Sequence, residues 1–592
     1  MSKVLPTQQL GNRCFRHLPA PAVAQSAALR SALGLALLLG GNACADVTGV
    51  APDPSTRPSA GEAAPGPVGA AGLAYYVSPT GNNNNPGTSA AKPWKTIAKV
   101  NGRTFAAGDR ILFKGGAVFQ GNLSFTAADK GSAISPILVA SYGTGRATLS
   151  GGAGTALSLY NTAGFTIRNL RMLGSGRTAN SGSGSGISIY ADLAGGVKLP
   201  YLRIDSVESS GFGQYGIVIG SWNGSTGFVD VRVTNSSTHD NALAGVSMYA
   251  QLPYIHQNVY FGNLLAYNNT GVAGRVTNSG SGIIMGGVSG GVIERSVAHD
   301  NGRLCDASEG PVGIWAYDSD SIIIQHNESY NNRTNGPADG GGFDLDQNVR
   351  NSTLQYNYSH GNDGAGFLLA HAPNNSNHSA NTVRYNVSEN DGRRNSAGAV
   401  VIWGRTIGAE IYNNSIYLAP SGAGVPVGIK VFNATIVTQD VQHVHIRDNA
   451  VYAAGGLKVL SVSADQLNGA VDLRFEGNDY FGGSSAPVVT WGTSTFSGLA
   501  TWRKASGQEM LGGLTVGSQV DPGFTSPGGG GTLGNAYLLA NLTAYRLKAT
   551  SALRDKAVDL PATFGINVGP SDFYGGVLPS GIAYDVGAHE WP

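Results

Sequence analysis

Gly342-Phe-Asp-Leu-Asp346 is one copy of a strand pattern that recurs along the chain and decides the fold. The other copies are Gly186-Ile-Ser-Ile-Tyr190, Gly216-Ile-Val-Ile-Gly220, Gly245-Val-Ser-Met-Tyr249, Gly282-Ile-Ile-Met-Gly286, Gly313-Ile-Trp-Ala-Tyr317, Gly366-Phe-Leu-Leu-Ala370, Ala399-Val-Val-Ile-Trp403 and Gly428-Ile-Lys-Val-Phe432. They return at intervals of roughly 30 residues, which is typical of a solenoid whose coils bury their apolar faces against one another. The second and fourth residues of each copy are apolar, which predicts a half-buried strand. The third and fifth residues are then expected to face solvent.

The composition indicates a turn-rich β protein. The 592 residues include 87 glycines, 41% are hydrophobic and only 13% are charged. A formal net charge of +1 argues against nucleic acid or an anionic membrane as a partner held by bulk electrostatics. Cys305 is the one cysteine of the chain beyond the N-terminal segment, so no intramolecular disulfide is expected there.

The N-terminal segment resembles an export signal. Arginines precede an apolar run, 32–39, that is too short to span a bilayer. Small residues around Cys44 fit signal cleavage, whereas lipidation of Cys44 is an alternative that the sequence leaves open. We therefore predict an export signal over 1–45, a flexible Pro/Ala/Gly-rich linker over 46–72 and one domain over 73–592. The expected location is outside the bacterial cytoplasm, as an extracellular, periplasmic or outer-membrane-anchored protein without a transmembrane span.

An asparagine recurs at a similar distance after several of the strands. The set is Asn235, Asn263, Asn327, Asn357, Asn386 and Asn414. An asparagine side chain satisfies backbone groups at a turn and tolerates left-handed backbone. Stacked coil on coil, the amides can also bond to one another in a ladder. We interpret these asparagines as scaffold rather than as a functional site.

Both ends of the chain resemble segments of a known superfamily. The opening carries Tyr75-Tyr-Val-Ser-Pro-Thr-Gly-Asn82, Asn85-Pro-Gly-Thr88, Pro93-Trp-Lys-Thr-Ile97 and Gly108-Asp-Arg-Ile-Leu-Phe113, and the end carries Asp521-Pro-Gly-Phe524, Tyr545-Arg-Leu547 and Asp585-Val-Gly-Ala-His-Glu590. These segments resemble those of secreted, carbohydrate-active proteins of the pectin-lyase-like superfamily. The resemblance covers residues 75–592 and implies an all-β, single-stranded right-handed parallel β-helix with an N-terminal capping segment. It leaves the reaction open, because this fold carries lyases, hydrolases, epimerases and adhesins.

One coil differs from the others on the face that is expected to point outward. It carries two carboxylates, Asp344 and Asp346, among apolar and aromatic neighbours. Flat rings stack on sugars, while carboxylates hold hydroxyl groups or perform acid–base chemistry, so the face predicts a polysaccharide site. The candidate substrate-binding residues are Trp315, Tyr317, Trp403, His371, Arg405, Tyr249 and Glu309.

The preferred activity is glycoside hydrolysis. Asp344 and Asp346 are two residues apart on one strand, which predicts a Cα separation of roughly 6.5–7 Å. That separation is compatible with the carboxyl spacing of roughly 6.5–9.5 Å found in inverting glycosidases. Asp318, at the end of the preceding strand, is the third catalytic candidate, because it completes an acid–base set or raises the pKa of a partner. This hypothesis requires no cofactor and expects a monomer with a polysaccharide as its substrate.

Two other classes stay open. The first is a Ca²⁺-dependent lyase or epimerase acting on uronates, with Asp339 and Asp363 among the oxygen ligands. The segment Asp339-Gly-Gly-Gly-Phe-Asp344 resembles the calcium motif of polysaccharide lyase family 9, although its spacing differs and Arg405 and Lys430 lie far away as bases. The second class is a non-catalytic glycan-binding surface protein or adhesin. The sequence does not indicate which sugar is recognised.

Overall fold

The computed structural model describes residues 72–178, 184–371, 377–420, 423–433 and 440–592. The predicted export signal and all of the predicted linker except Gly72 lie outside these ranges. The body of the chain is a parallel β-helix of about 12 turns, as the repeat predicted. Among the described residues, no helix has the length and apolarity to cross a membrane.

The strands are numbered in chain order. The first group is β1 (Ala74–Val77), β2 (Arg110–Lys114), β3 (Val118–Gln120), β4 (Leu123–Phe125), β5 (Ile137–Tyr142), β6 (Ala147–Gly152), β7 (Leu157–Tyr160), β8 (Phe165–Arg168), β9 (Leu170–Gly174), β10 (Ile187–Ala191), β11 (Lys198–Asp205), β12 (Glu208–Ser210), β13 (Tyr215–Ser221), β14 (Gly227–Thr234), β15 (Ser237–His239), β16 (Ala244–Ala250), β17 (His256–Gly262) and β18 (Leu265–Tyr267). The central group is β19 (Ser281–Gly286), β20 (Val288–Glu294), β21 (Val297–His299), β22 (Val312–Tyr317), β23 (Asp320–Gln325), β24 (Glu328–Tyr330), β25 (Gly341–Leu345), β26 (Thr353–Gln355), β27 (Tyr358–His360), β28 (Phe367–Ala370), β29 (Thr382–Arg384), β30 (Val387–Glu389), β31 (Gly398–Trp403), β32 (Glu410–Tyr412), β33 (Ser415–Leu418) and β34 (Val427–Phe432). The last group is β35 (Gln442–Arg447), β36 (Ala450–Ala453), β37 (Lys458–Val462), β38 (Val471–Glu476), β39 (Asp479–Phe481), β40 (Val488–Trp491), β41 (Ser494–Ser497), β42 (Met510–Leu511) and β43 (Leu514–Thr515).

Three long sheets run along the helix, because each coil adds one strand to each of them. Sheet 1 contains β4, β7, β10, β13, β16, β19, β22, β25, β28, β31, β34, β37, β40 and β41. Sheet 2 contains β1, β2, β5, β8, β11, β14, β17, β20, β23, β26, β29, β32, β35 and β38. Sheet 3 contains β3, β6, β9, β12, β15, β18, β21, β24, β27, β30, β33, β36 and β39, while β42 and β43 form a separate hairpin.

All nine predicted strands lie in sheet 1, where the register stacks equivalent residues. The second pattern residue of each copy aligns with that of the next, through Ile187, Ile217, Val246, Ile283, Ile314, Phe343, Phe367, Val400 and Ile429. These side chains are fully buried inside the helix. Phe343 and Phe367 stack with ring centroids 5.2 Å apart. The apolar ladder that the alternation predicted is therefore the core.

The asparagine ladder is confirmed for four of the six residues. Each side-chain amide donates to the next at 2.9–3.1 Å through Asn327, Asn357, Asn386, Asn414, Asn449 and Asn478. The assignment of Asn235 and Asn263 to this ladder is wrong. They lie one position earlier in their coils, at solvent-facing turns with φ of 51° and 52°, and bond to each other at 2.8 Å.

A second buried ladder was not predicted. Its amides bond at 3.0 Å through Asn241, Asn269, Asn301, Asn332 and Asn362, and the last amide donates to Asp391 at 2.8 Å. It follows the end of sheet 3, where the chain turns towards sheet 1. The two ladders satisfy backbone groups that the turns would otherwise bury without partners.

Both ends of the apolar core are closed. At the start, helix α1 (Ile97–Asn101) is capped by the Thr96 hydroxyl, which accepts from the Lys99 amide at 3.2 Å. The other helices of the described residues are α2 (Ala464–Gly469), α3 (Leu499–Ser506), α4 (Leu560–Phe564) and two 3₁₀ helices, Ala536–Asn541 and Thr543–Tyr545. Trp502 of α3 is fully buried and closes the last coils.

The C-terminal segment folds back along the outside of sheet 3. The Tyr545 hydroxyl donates to Glu389 of β30 at 2.7 Å, and the Gly534 amide donates to Glu328 of β24 at 2.7 Å. Sheet 1 is bordered instead by long connections from sheet 3, over 268–280, 300–311, 331–340 and 390–397. These four loops lead into β19, β22, β25 and β31 of sheet 1, respectively.

Candidate functional site

Asp344 points outward from β25, but it is not solvent-facing as predicted. It lies in register between Trp315 of β22 and Leu368 of β28, and only 4% of it is exposed. Its neighbours therefore leave it little contact with water. Its Oδ1 atom has no hydrogen-bond partner in the part of the chain that is described. Burial, with the negative charges of Asp346 and Asp339, holds the pKa of Asp344 well above its ordinary value.

Asp346 is a more accessible carboxyl group at the same coil. It follows the last residue of β25 and is half-buried. Burial raises its pKa to about 8, and the charges of Asp339, Asp318 and Glu309 act in the same direction. The Gln347 amide, which donates to Oδ1 at 2.7 Å, opposes them. The group is therefore protonated at neutral pH, as a general acid must be.

Asp339 reaches the same region from loop 331–340. Its backbone is left-handed, with φ of 56°, and its side chain is half-buried. Burial raises its pKa, while the Gly310 amide, which donates to Oδ2 at 2.8 Å, favours the charged form. The sequence indicated Asp339 only as a metal ligand. The structure brings it close enough to raise the pKa values of both Asp344 and Asp346.

Two further acids complete what we call the acidic cluster: Glu309, Asp318, Asp339, Asp344 and Asp346. Burial and the charge of Asp339 raise the pKa of Glu309, which lies in loop 300–311. Asp318 follows β22, accepts a hydrogen bond from Asn348 at 2.7 Å and contributes to the raised pKa of Asp346. Over the described ranges, no lysine, arginine or histidine forms an ion pair with Glu309, Asp339, Asp344 or Asp346.

The aromatic residues on the N-terminal side of the cluster are more enclosed than predicted. Trp315 is only 7% exposed, and its indole Nε1 donates to Ser281 at 3.2 Å. It packs with Tyr249, which is also buried, in an apolar cluster on the outside of sheet 1. The prediction that these two rings face solvent is therefore wrong, because side chains of neighbouring coils and loops cover them.

Tyr317 remains half-buried at the edge of that apolar cluster. A side chain on Gly286 would place its Cβ 2.4 Å from the Tyr317 ring, and one on Gly220 would place its Cβ 2.1 Å from the Tyr249 ring. Each ring therefore lies over the glycine of the preceding coil. These glycines can be read from the sequence, but only the stacking of coils shows that each of them leaves room for a tyrosine ring of the next coil.

The remaining predicted residues are dispersed. Trp403 and Arg405 are half-buried near the end of β31, whereas His371 is only 2% exposed and is too enclosed to contact a sugar chain directly. Asp363 accepts from Arg333 at 3.0 Å and from the Thr334 amide at 3.2 Å, so both oxygens are engaged. In the described segments, no group of three or more histidine, cysteine, aspartate or glutamate side chains is arranged to hold a metal ion. The calcium hypothesis stays a prediction.

The fold defines the class of protein. A family model described as right-handed beta helix region matches residues 262–416. With the three parallel sheets, this match confirms the predicted right-handed parallel β-helix, which is the fold that the resemblance to the pectin-lyase-like superfamily implied.

Comparison with known proteins gives more particular similarities. The lacto-N-biosidase of Bifidobacterium longum subsp. longum is 25% identical over 59% of this chain, and the match spans 27% of that enzyme, about a quarter of its length. The solved GH136 lacto-N-biosidase from Eubacterium ramulus is 20% identical, with a TM-score of 0.45 over 61% of this chain and 68% of that chain. The pectate lyase Pel9A is 17% identical, with a TM-score of 0.40 over 88% of this chain and 97% of that chain.

Proposed function

We propose that the protein hydrolyses glycosidic bonds at the acidic cluster, with Asp346 as the general acid and Asp339 as the ionised partner. The observation that carries this proposal is the pKa of Asp346, which burial raises to about 8. A proton on Asp346 at neutral pH is available for the leaving oxygen of the scissile bond. Asp339 is half-buried, and although burial raises its pKa, the Gly310 amide that donates to Oδ2 at 2.8 Å favours its ionised form. Glycosidases pair a protonated carboxyl group with a second, ionised one, and this proposal assigns those roles to Asp346 and Asp339.

Asp344 has a supporting role in this proposal. Its burial leaves it unable to contact the substrate as freely as Asp346 and Asp339 do. Burial holds the pKa of Asp344 well above its ordinary value, which favours the uncharged form beside an ionised Asp339. The proposed catalytic pair therefore differs from the pair predicted from the sequence. Asp339, which loop 331–340 brings near Asp346, takes the place of Asp344.

The electrostatics favour hydrolysis of a neutral sugar over a lyase reaction on a uronate. The carboxylate of a uronate would meet Glu309, Asp339, Asp344 and Asp346, none of which forms an ion pair with a described lysine, arginine or histidine. A lyase also needs a base beside the acidic carbon, and Arg405 and Lys430 lie on later coils. Similarity to a lacto-N-biosidase, at 25% identity, supports the same choice.

The test is the mass of the products. The protein is incubated with neutral oligosaccharides, including substrates of lacto-N-biosidases, and with uronate polymers, each with and without a chelator. Hydrolysis adds water to the products, whereas lyase cleavage gives an unsaturated, ultraviolet-absorbing end. We expect chelator-resistant hydrolysis, and Asp346→Asn should lower kcat by about 10²–10⁴-fold. Unsaturated products, or binding without any cleavage, would overturn the proposal.

A matched control separates catalysis from stability. Asp300→Asn changes an exposed aspartate that follows β21, outside the acidic cluster, and should leave turnover unchanged. Asp339→Asn should lower kcat as Asp346→Asn does, because the ionised partner is lost. Equal losses in all three variants would indicate unfolding rather than chemistry.

A further inference from the structure

We propose that sheet 1 carries a second subsite, for a sugar residue bearing a carboxylate or sulfate group, at Trp403, Lys430 and Phe432. We call these three residues the Lys430 patch. The proposal rests on the proposed function only in taking the ligand to be the same glycan chain that the acidic cluster cuts. Binding at the patch itself requires no cleavage.

The Lys430 patch lies on the same outward face as the acidic cluster. Asp344 aligns with Leu368, Leu368 with Val401, and Val401 with Lys430. Three strand spacings separate Asp344 from Lys430, which is a distance of about 14 Å at about 4.8 Å per step. That distance exceeds one sugar ring, so a group bound at Lys430 belongs to a different residue from the one that is cut.

Lys430 is a half-buried cation that forms no ion pair with any described residue. Its ammonium group donates to the Ser396 carbonyl at 3.1 Å and lies 4.4 Å from the centre of the Phe432 ring. An ammonium group has three donors, so two remain. No carboxylate lies within ion-pair distance of it in the described part of the chain. Burial, with the charge of Lys458, lowers the pKa of Lys430. An anion bound here would relieve the cost of an unpaired, partly desolvated charge.

The surroundings add a sugar platform and more positive charge. Trp403 is the register partner of Phe432, and both rings are half-buried on the outward face. Arg405 lies two residues beyond Trp403, and its buried Nε atom has no hydrogen-bond partner among the described residues. Rings beside a cation are suited to a sugar that carries a negative group.

The two sites have opposite charge preferences. The acidic cluster disfavours an anionic residue, whereas the Lys430 patch favours one. A glycan that mixes neutral and anionic residues would therefore bind in one register, with a neutral residue at the acids and an anionic residue at Lys430. The patch deepens the proposed function by naming the substrate class as such a mixed glycan.

The test measures binding and is independent of turnover. Isothermal titration calorimetry uses lactose, sulfated lactose and sialyl-lactose, which share a neutral core and differ in their anionic group. The protein carries Asp346→Asn, so that nothing is cut. Lys430→Met removes the charge and keeps an apolar stem, and Lys548→Met in the C-terminal segment is the matched control.

We expect Lys430→Met to weaken binding of at least one anionic sugar about tenfold to a hundredfold, as loss of a charged hydrogen bond would. Binding of lactose should not change, and Trp403→Ala should weaken all three sugars. The two anionic probes distinguish a carboxylate site from a sulfate site. Unchanged affinity, or an equal loss for lactose, would overturn the inference, provided thermal unfolding shows that the variant is folded.

The two proposals can fail separately. If the protein hydrolyses a glycan but Lys430→Met does not change the binding of anionic sugars, the subsite proposal is wrong and the catalytic proposal stands. If anionic sugars bind in a Lys430-dependent way but no glycan is cleaved, the catalytic proposal is wrong and the subsite proposal stands.

Discussion

Replacing Asp346 with asparagine should stabilise the protein, and the gain should grow with pH. The fold holds the pKa of Asp346 at about 8, against 3.8 for the unperturbed group. A raised pKa in the folded state means that ionisation opposes folding. The protein has its full stability at pH values below the pKa of Asp346 in the unfolded state. It loses stability as the pH rises towards the pKa of Asp346 in the folded state.

The magnitude follows from linkage. At about 1.4 kcal/mol per pH unit, the wild-type carboxyl group lowers the free energy of unfolding by about 2 kcal/mol at pH 5 and about 4 kcal/mol at pH 7. Above pH 8 the loss levels off at about 6 kcal/mol. Asparagine has a similar shape and never ionises, so Asp346→Asn escapes this loss. The gain in stability should therefore be small near pH 4 and several kcal/mol near pH 9.

Urea denaturation at a series of pH values measures this difference. The free energy of unfolding is compared for the wild type, Asp346→Asn and Asp300→Asn. Asp300→Asn should not reproduce the gain that grows towards alkaline pH, because Asp300 is exposed and lies outside the acidic cluster. A difference for Asp346→Asn that is constant between pH 5 and pH 9 would refute both the raised pKa and the assignment of Asp346 as the acid.

Three further outcomes are expected. Asp344→Asn should leave the alkaline limb of the kcat/KM profile in place, because burial raises the pKa of Asp344 well above its ordinary value and favours the uncharged form; a limb that moves to lower pH would show that Asp344 is charged. Gly286→Ala should displace the Tyr317 ring and cost about 1–3 kcal/mol of unfolding free energy in denaturation, whereas Gly154→Ala, with its nearest atom 3.5 Å from the added Cβ, should cost less. Asn357→Ala should break the buried amide ladder, remove about 1–3 kcal/mol per unsatisfied group and lower the Tm in calorimetry, while Asn235→Ala at its solvent-facing turn should have a smaller effect. Equal effects within either pair would contradict the packing described.

The fold was predictable because its information is local and repeated. Each copy of the strand pattern alternates apolar and outward residues, and nine copies report the same register. One coil with an ambiguous pattern therefore does not change the predicted fold. The second amide ladder was not predicted, because Asn241 and Asn269 differ from ordinary turn asparagines only in being buried.

For the candidate site, the sequence predicted a location and left the arrangement of its acids open. The sequence by itself determined that one coil of sheet 1 places two acids outside the apolar core, because strand parity is a property of the chain. Which acids are accessible depends on the packing of other coils: Trp315 and Leu368 enclose Asp344, while loop 331–340 brings Asp339 beside Asp346. The pKa of Asp346 arises from burial and from charges on three separate segments, at Asp339, Asp318 and Glu309. Only the tertiary structure decides how much burial and neighbouring charges raise this pKa, because desolvation and Coulomb interaction depend on distance in space and not on distance along the chain.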